Sequence, residues 1–341
     1  MRDRRTTLHE VATQAGVHPG TASRALNVKT RSLVSRETVL KVIAVARELD
    51  YRPNPVARSL KTRRTLSIGV LIPDLNNPLF PPIVRGIEDR LARDGYVALL
   101  GNTDNDDKRE RRILEEMYGR HVDGLIVATA RRDHPALVDA AQTGTPIVLV
   151  NRVVDDHFFS SLSVDDALGV RLVLAHLAGL GHRRIAHVAG PQSLSTGLGR
   201  YRGFLASMEE AGLEVDEKVI AFASSFSEEE GHRRALEVLR PELGPTAIVA
   251  ANDMLALGCY SAIAEVGLDC PGDISVVGYN DMPFTDRLHP PLTTVRIPHY
   301  ALGAQAADLV LERIADPHVP VKAVFLPVEL VVRGSTAPPR I

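Results

Sequence analysis

The chain is 341 residues long and 45% hydrophobic, enough for two or three domains with their own cores and too apolar for a disordered polypeptide. Its net charge of −2 conceals an imbalance: the first 64 residues carry 14 basic and 5 acidic side chains, the remainder 26 and 37, so a small basic head precedes a large acidic body, as in a nucleic-acid-binding module joined to another domain. Cys259 and Cys270 offer no zinc-site spacing, no run of 18 apolar residues could span a membrane, and no early stretch reads as a signal peptide, which together point to a reducing cytoplasm.

Residues 6–27, TTLHEVATQAGVHPGTASRALN, hold two short helical patterns around a tight break. Thr7 and Glu10 form a capping box, and Leu8, Val11, Ala12 and Ala15 share one face. Gly16 ends this helix and Val17 fills the angle. His18 then stands at the next N-cap, Pro19 suits the first helical position, and Ala22, Ala25 and Leu26 face inward. This is helix-turn-helix spacing, with Thr21, Ser23 and Arg24 free to meet phosphates or base edges. A third helix starts at Ser35 and sends Val39, Leu40, Val42, Ile43, Ala46 and Leu49 inward.

Residues 51–64 join head to body. Asn54 is a good N-cap and Pro55 is preset for a first helical turn, but about two turns follow, and isolated helices shorter than roughly 12 residues are marginal in water. This segment needs a partner to fold. Beyond it, strand-length apolar runs at 67–72, 96–100, 123–128, 146–150, 184–189, 247–251 and 274–278 alternate with helix-length segments at 81–94, 165–179, 200–212, 228–240, 254–266 and 300–315. Such alternation implies parallel sheets covered by helices, in one sheet or two. The basic runs at 109–112 and 183–184 read as solvated faces.

The segment STGLGRYRGF at 195–204 carries Gly197, Gly199 and Gly203 after a strand and at the start of a helix. That spacing resembles a dinucleotide loop but lacks a ribose-binding carboxylate about 20 residues on. Histidines are scattered, and no Ser/His/Asp or metal-ligand spacing recurs. The chain is therefore expected to be no enzyme and to hold no metal or cofactor.

The headpiece pattern, then YRPN at 51–54 and ARSLK at 57–61, resembles the DNA-binding head and hinge of the lactose-repressor (LacI/GalR) family of bacterial transcription regulators. The similarity continues in order through IGVLIPDLNNPLF at 68–80, VDGLI at 122–126, LGHRRIA at 180–186, AND at 251–253, ISVVGY at 274–279, PPLTT at 290–294 and VVRGST at 331–336. It implies an all-α helix-turn-helix headpiece (1–50), a hinge helix and linker (51–64), and a periplasmic-binding-protein-like α/β body (65–341). The body would comprise two doubly wound parallel-sheet subdomains, the first of residues 65–162 and 292–324 and the second of 163–291 and 325–341, with crossovers near 161–164, 290–294 and 322–328.

By this resemblance the second helix enters the major groove, with DNA contacts from Thr7, Leu8, His18, Pro19, Gly20, Thr21, Ser23, Arg24 and Asn27. Arg24 matches a base-reading position; Pro19 and Gly20, at usually variable reading positions, offer no side-chain hydrogen bond. Two copies of the hinge would pair in the minor groove with Leu60 as the wedge, Val56 and Ala57 between the helices, and Lys61 near the groove floor. The loop at 195–204 resembles the purine-repressor form of the family's ligand loop, which implies Thr196 and Arg200 as effector contacts. Leu79, Phe80, Asn151, Leu194, Leu198, Phe226, Asn252, Asn280 and Ile297 match the other cleft positions. Asn280 replaces a frequent aspartate, Leu194 and Leu198 stand where polar side chains are common, and Ile297 replaces a frequent glutamine. These departures make the pocket less charged than in typical sugar-responsive members, a sugar being the leading ligand class.

The expectation is thus a cytoplasmic, ligand-responsive repressor that binds a palindromic double-stranded operator as a homodimer, since the C-terminal residues 335–341 hold no leucine-heptad tail. Its rivals are a transport solute-binding protein, which would lack the basic head, and a nucleotide-dependent oxidoreductase built on residues 197–203.

Overall fold

A computed structural model of the chain describes residues 6–27, 30–52, 64–156 and 158–340. They fall into two compact units divided at Thr65 and Leu66. The first is a three-helix headpiece: α1 (Leu8–Ala15), α2 (Pro19–Leu26) and α3 (Arg36–Glu48). Thr7 and Glu10 make the reciprocal capping box, and Gly16 closes α1 in the left-handed region at φ 64°, where a side chain would be strained. Val11, Ala12, Ala15, Ala22, Ala25, Val39, Val42 and Ala46 form a core of small side chains that lets the helices approach closely. Two headpiece expectations need correction. Leu40 is 59% exposed, because it lies on the outer side of the α3 stripe made by Val39, Val42 and Ala46. Tyr51, assigned to the hinge, packs on the headpiece core and donates its N–H to Ala46 O at 2.8 Å, so the head extends past residue 50.

The body contains two six-stranded sheets among the described residues. The first has the order β11-β5-β4-β3-β1-β2, from Ala323–Leu326, Ser160–Val164, Ile147–Val150, Gly124–Val127, Ser67–Ile72 and Val97–Asn102 respectively. The second has the order β12-β10-β9-β8-β6-β7, from Glu329–Val331, Thr293–Arg296, Ser275–Asn280, Ala247–Ala250, Ile185–Ala189 and Ile220–Phe222. All pairings are parallel except β10 with β12, so the second sheet ends on an antiparallel strand. Central strands such as β3, β4, β6 and β8 are buried throughout, as expected of parallel strands covered on both faces.

The strands shift the expected subdomain boundaries by a few residues each, most at the second, while the last crossover stays within the expected 322–328. Thr293–Arg296 pairs with β9 in the second sheet, so the chain returns to the first subdomain at Ile297 and Pro298 rather than at 292. Residues 160–164 are a full strand of the first sheet, placing the first crossover at Asp165. Phe325 and Leu326 still pair with β5, so the last crossover is at Pro327 and Val328.

Covering helices are α4 (Phe80–Arg93), α5 (Asp107–Gly119), α6 (Pro135–Ala141) and α11 (His299–Ala315) on the first sheet, and α7 (Asp166–Gly179), α8 (Ser195–Glu210), α9 (Glu228–Val238) and α10 (Asp253–Glu265) on the second. The periodicity had not marked α5, α6 or the short strands β5, β7, β10, β11 and β12. Within the run at 109–112, Glu110 is only 2% exposed; it accepts from the Thr129 hydroxyl and lies 3.2 Å from His134 Nε2. That run is therefore not wholly a solvated face.

Candidate nucleic-acid interface and ligand cleft

On the headpiece, His18 caps α2 by accepting the Gly20 N–H on Nδ1 at 3.1 Å. The cap fixes the start of the helix whose outer face carries the expected reading residues. Arg24 and Asn27 are exposed, as are Thr7 and His18, while Pro19, Gly20, Thr21 and Ser23 are half-buried. Among the described residues Arg24 has no carboxylate partner, so its guanidinium stands solvated at the helix surface. Leu8 is half-buried against the core. Val56, Ala57, Leu60 and Lys61 lie outside the described residues.

In the body, the polar residues gather where strands of both sheets end at their carboxyl edges, the usual place for a ligand in open α/β folds. Arg200, one turn into α8 and 2% exposed, is the organising group. Its Nε donates to Asp166 Oδ1 at 2.8 Å, Nη1 to Ala251 O at 2.7 Å and Nη2 to Asn280 Oδ1 at 3.3 Å. The guanidinium lies 3.8 Å over the Tyr279 ring, where the ring face adds cation–π attraction. One fork thus ties α8 to α7, β8 and β9. Burial raises the Asp166 carboxyl above its ordinary value although Arg200 pulls it down.

Asn252 uses its side-chain oxygen to cap α10 through Leu255 N–H at 2.9 Å, which leaves its amide N–H groups for a ligand. Beside it, Asp253 accepts from Thr294 Oγ1 at 2.5 Å and Met282 N–H at 2.8 Å, and burial pushes its carboxyl up to about 7. Asn280 holds φ 116° and Asn151 φ 66°, strained for side-chain-bearing residues and of the kind found at functional sites. Thr196 is buried with its hydroxyl unpartnered. Phe226 is half-buried, at the place where a side chain on Gly190 would run into its ring.

The first subdomain meets this edge through its own loops. Val153 N–H donates to Ser195 Oγ at 2.9 Å, Arg132 N–H to Ser193 O at 3.0 Å, and Arg132 Nη1 to Gln192 O at 3.3 Å. Asn151 and Arg152, which follow β4, are thereby brought opposite the start of α8.

Of the other expected cleft residues, Leu79, Phe80 and Ile297 lie in the same apolar core as Tyr279, Phe80 with no exposure at all; Leu194 is buried at the N-cap of α8 and Leu198 half-buried on its first turn. Arg152, Asp166, Tyr279 and Ser195 were missed. A charged residue directly behind the apolar β4 run was the available signal for Arg152.

The glycines of α8 also find their explanation. A side chain on Gly197 would lie 2.1 Å from Pro191 O, and one on Gly203 3.0 Å from Ala167 Cα. They permit close packing of α8 on its neighbours, which accounts for this glycine spacing without a dinucleotide.

A three-helix DNA-reading head and a two-sheet body with a buried polar cleft define a ligand-binding regulator. Residues 7–54 match the family described as bacterial regulatory proteins, lacI family, and residues 174–336 a periplasmic binding protein-like domain. The ribose operon repressor of Bacillus subtilis is 36% identical over 97% of this chain and 98% of its own length. A lac repressor dimer bound to operator and the anti-inducer ONPF superposes with a TM-score of 0.85 at 30% identity, covering 98% of this chain and all of that one. A LacI-family regulator of Enterococcus faecium with bound ribose gives 0.71 at 32% identity, over 80% of this chain and all of the other. The chain belongs to the lacI family of bacterial regulatory proteins, a family of DNA-binding repressors rather than enzymes. No helix among the described residues is long and apolar enough to cross a membrane.

Proposed function

We propose that this protein is a cytoplasmic transcriptional repressor that binds a palindromic operator as a homodimer and changes its operator affinity when a small polar effector occupies the cleft around Arg200. One observation carries the reading: a single chain joins an exposed helix-turn-helix face bearing Arg24 to a buried polar cleft bridged between two subdomains. When effector and operator each prefer one arrangement of the subdomains, each shifts the other's affinity by the same coupling free energy. The operator-bound lac repressor dimer and the ribose-bound relative support the two halves of this reading.

DNA contacts are assigned to Thr7, Leu8, His18, Pro19, Gly20, Thr21, Ser23, Arg24, Asn27 and the hinge residues Val56, Ala57, Leu60 and Lys61. Effector contacts are assigned to Thr196, Arg200, Phe226, Asn252 and Asn280, with Asn151 at the rim, and Arg152 is added to them. The test is fluorescence anisotropy on a palindromic operator as salt is raised. Each neutralised phosphate contributes about −0.9 to the log–log slope, and absence of binding at low salt refutes the proposal. In the same assay Leu60→Ser should abolish the preference for a palindrome while leaving salt-sensitive non-specific binding.

A further inference from the structure

Arg132 and Asp155 lie on the first-subdomain loops that follow β3 and β4, and they close into a fork. Arg132 Nε donates to Asp155 Oδ1 at 3.0 Å and Nη2 to Oδ2 at 2.7 Å, while the Asp155 N–H donates to Arg132 O at 2.9 Å. The two side chains are 32% and 59% exposed, so water screens the pair and its own contribution to stability is small. What the bidentate geometry supplies is direction. With Nε and Nη2 taken by the carboxylate, Nη1 and the backbone N–H of Arg132 meet the second subdomain at Gln192 O and Ser193 O. Val153 N–H, two residues before Asp155, reaches Ser195 Oγ.

The receiving loop is stiff. Gln192 Nε2 donates back to Gly190 O at 2.7 Å and Leu194 N–H to Pro191 O at 3.1 Å. A side chain on Gly190 would strike Phe226, and one on Gly197 would strike Pro191 O. A displacement of residues 190–195 therefore carries Thr196 and Phe226, two of the assigned effector contacts, along with it. The position also gives leverage. Two of the three crossovers adjoin β10 and β12, whereas this loop follows β6, which β8 and β9 separate from β10; three strand spacings amount to roughly 14 Å. Bonds made at that distance from the connecting segments resist a change in subdomain spacing far better than bonds made beside them.

We propose that Arg132 and Asp155 form a clasp between the subdomains, which biases the body toward one arrangement and so sets the operator affinity that an effector has to change. The operator half of this rests on the repressor reading above. The clasp consists of three ordinary hydrogen bonds aimed by a screened ion pair. Each is modest, so a ligand that prefers another arrangement can override them.

The test is hydrogen exchange at single-amide resolution on the full-length protein, with Arg132→Gln, Asp155→Asn and Ser195→Ala as variants and a denaturant midpoint for each to establish folding. In Asp155→Asn the Arg132 and Val153 amides should exchange at least roughly tenfold faster than in the parent. Ser195→Ala alters only the second subdomain, yet it should accelerate the Arg132 amide as well as that of Val153, because the clasp opens as a unit. Operator affinity at fixed salt should shift at least roughly fivefold, in the same direction in all three variants. Exchange unchanged at both amides overturns the clasp, as does acceleration confined to the immediate neighbours of each substitution. Faster exchange with unmoved operator affinity overturns its regulatory role. A parent protein that binds no operator sinks the repressor instead, and the exchange result then decides the clasp alone.

Discussion

Arg24 and Arg200 carry the same guanidinium and meet opposite fates. Arg24 stands exposed on α2 with no carboxylate beside it among the described residues, so the favourable contacts it can make are still to be formed. Arg200 is buried with three hydrogen-bonded partners and an aromatic face, so its contacts are already part of the folded body. A reading surface keeps its polar groups solvated until the partner arrives; a ligand cleft spends them on fixing its own walls. Substitution should therefore damage recognition in the head and the fold itself in the cleft.

The sharpest break of that contrast is Arg200→Met. It leaves the Asp166 carboxylate buried without its cation, a loss of about 3–5 kcal/mol, to be read as a fall in the denaturant midpoint of the body. If stability is unchanged, Arg200 resembles Arg24 more than proposed. Next, Arg24→Ala should reduce specific operator affinity by the equivalent of about 1–3 kcal/mol without moving the unfolding midpoint, and should relax discrimination at one base pair.

A third test concerns a buried group outside both sites. His187 is fully buried, hydrogen-bonded to Val249 O at 2.7 Å and stacked on Phe204; burial holds its imidazole down at about 4. The unfolded chain takes up the proton near 6.5 and the folded one does not, so stability is lost as pH falls from 6.5 toward 4, on the order of 3 kcal/mol from this group. Asp253, raised to about 7, acts in the opposite sense: between pH 7 and 4 the folded state holds the proton and gains stability as pH falls. His187→Phe should thus flatten the acid side of a Tm-against-pH profile, and an unaltered profile would refute the assignment. The smallest effect is Thr7→Ala, which removes one half of the α1 capping box at about 0.5–2 kcal/mol, confined to the headpiece and readable by hydrogen exchange in α1.

Much of the architecture was visible in the residue pattern, for reasons that differ by element. The apolar runs of β1, β3, β4, β6 and β8 stand out because both their faces are covered. Ser160–Val164 and Thr293–Arg296 are strands rich in hydroxyls, without such a run, and so passed for crossovers; pairing with a neighbour, not composition, makes them strands. Leu40 shows the opposite failure, an apolar residue on the outer edge of a helical stripe. Within the site, Arg200, Asn252 and Asn280 came from the match of motifs. Phe80 and Ile297 came by the same route and lie in the apolar core beside Tyr279, a depth of burial that a motif position does not convey. Arg152 is marked in the sequence only as a charge directly behind the apolar run of β4; that its buried Nε finds no hydrogen-bond partner among the described residues shows only in three dimensions.

The three crossovers at Asp165, at Ile297 and Pro298, and at Pro327 and Val328 have a mechanical corollary. Two bodies joined by one strand can swing, twist and slide; joined by three short segments side by side, they lose most of those freedoms. Two of the three segments contain proline, whose ring fixes φ, which stiffens them further. What remains is close to rotation about a single axis through the connections, so that occupancy of the cleft is converted into one angle. A molecule with one coordinate to adjust passes a change at its cleft along that coordinate alone, with little of it lost to other motions.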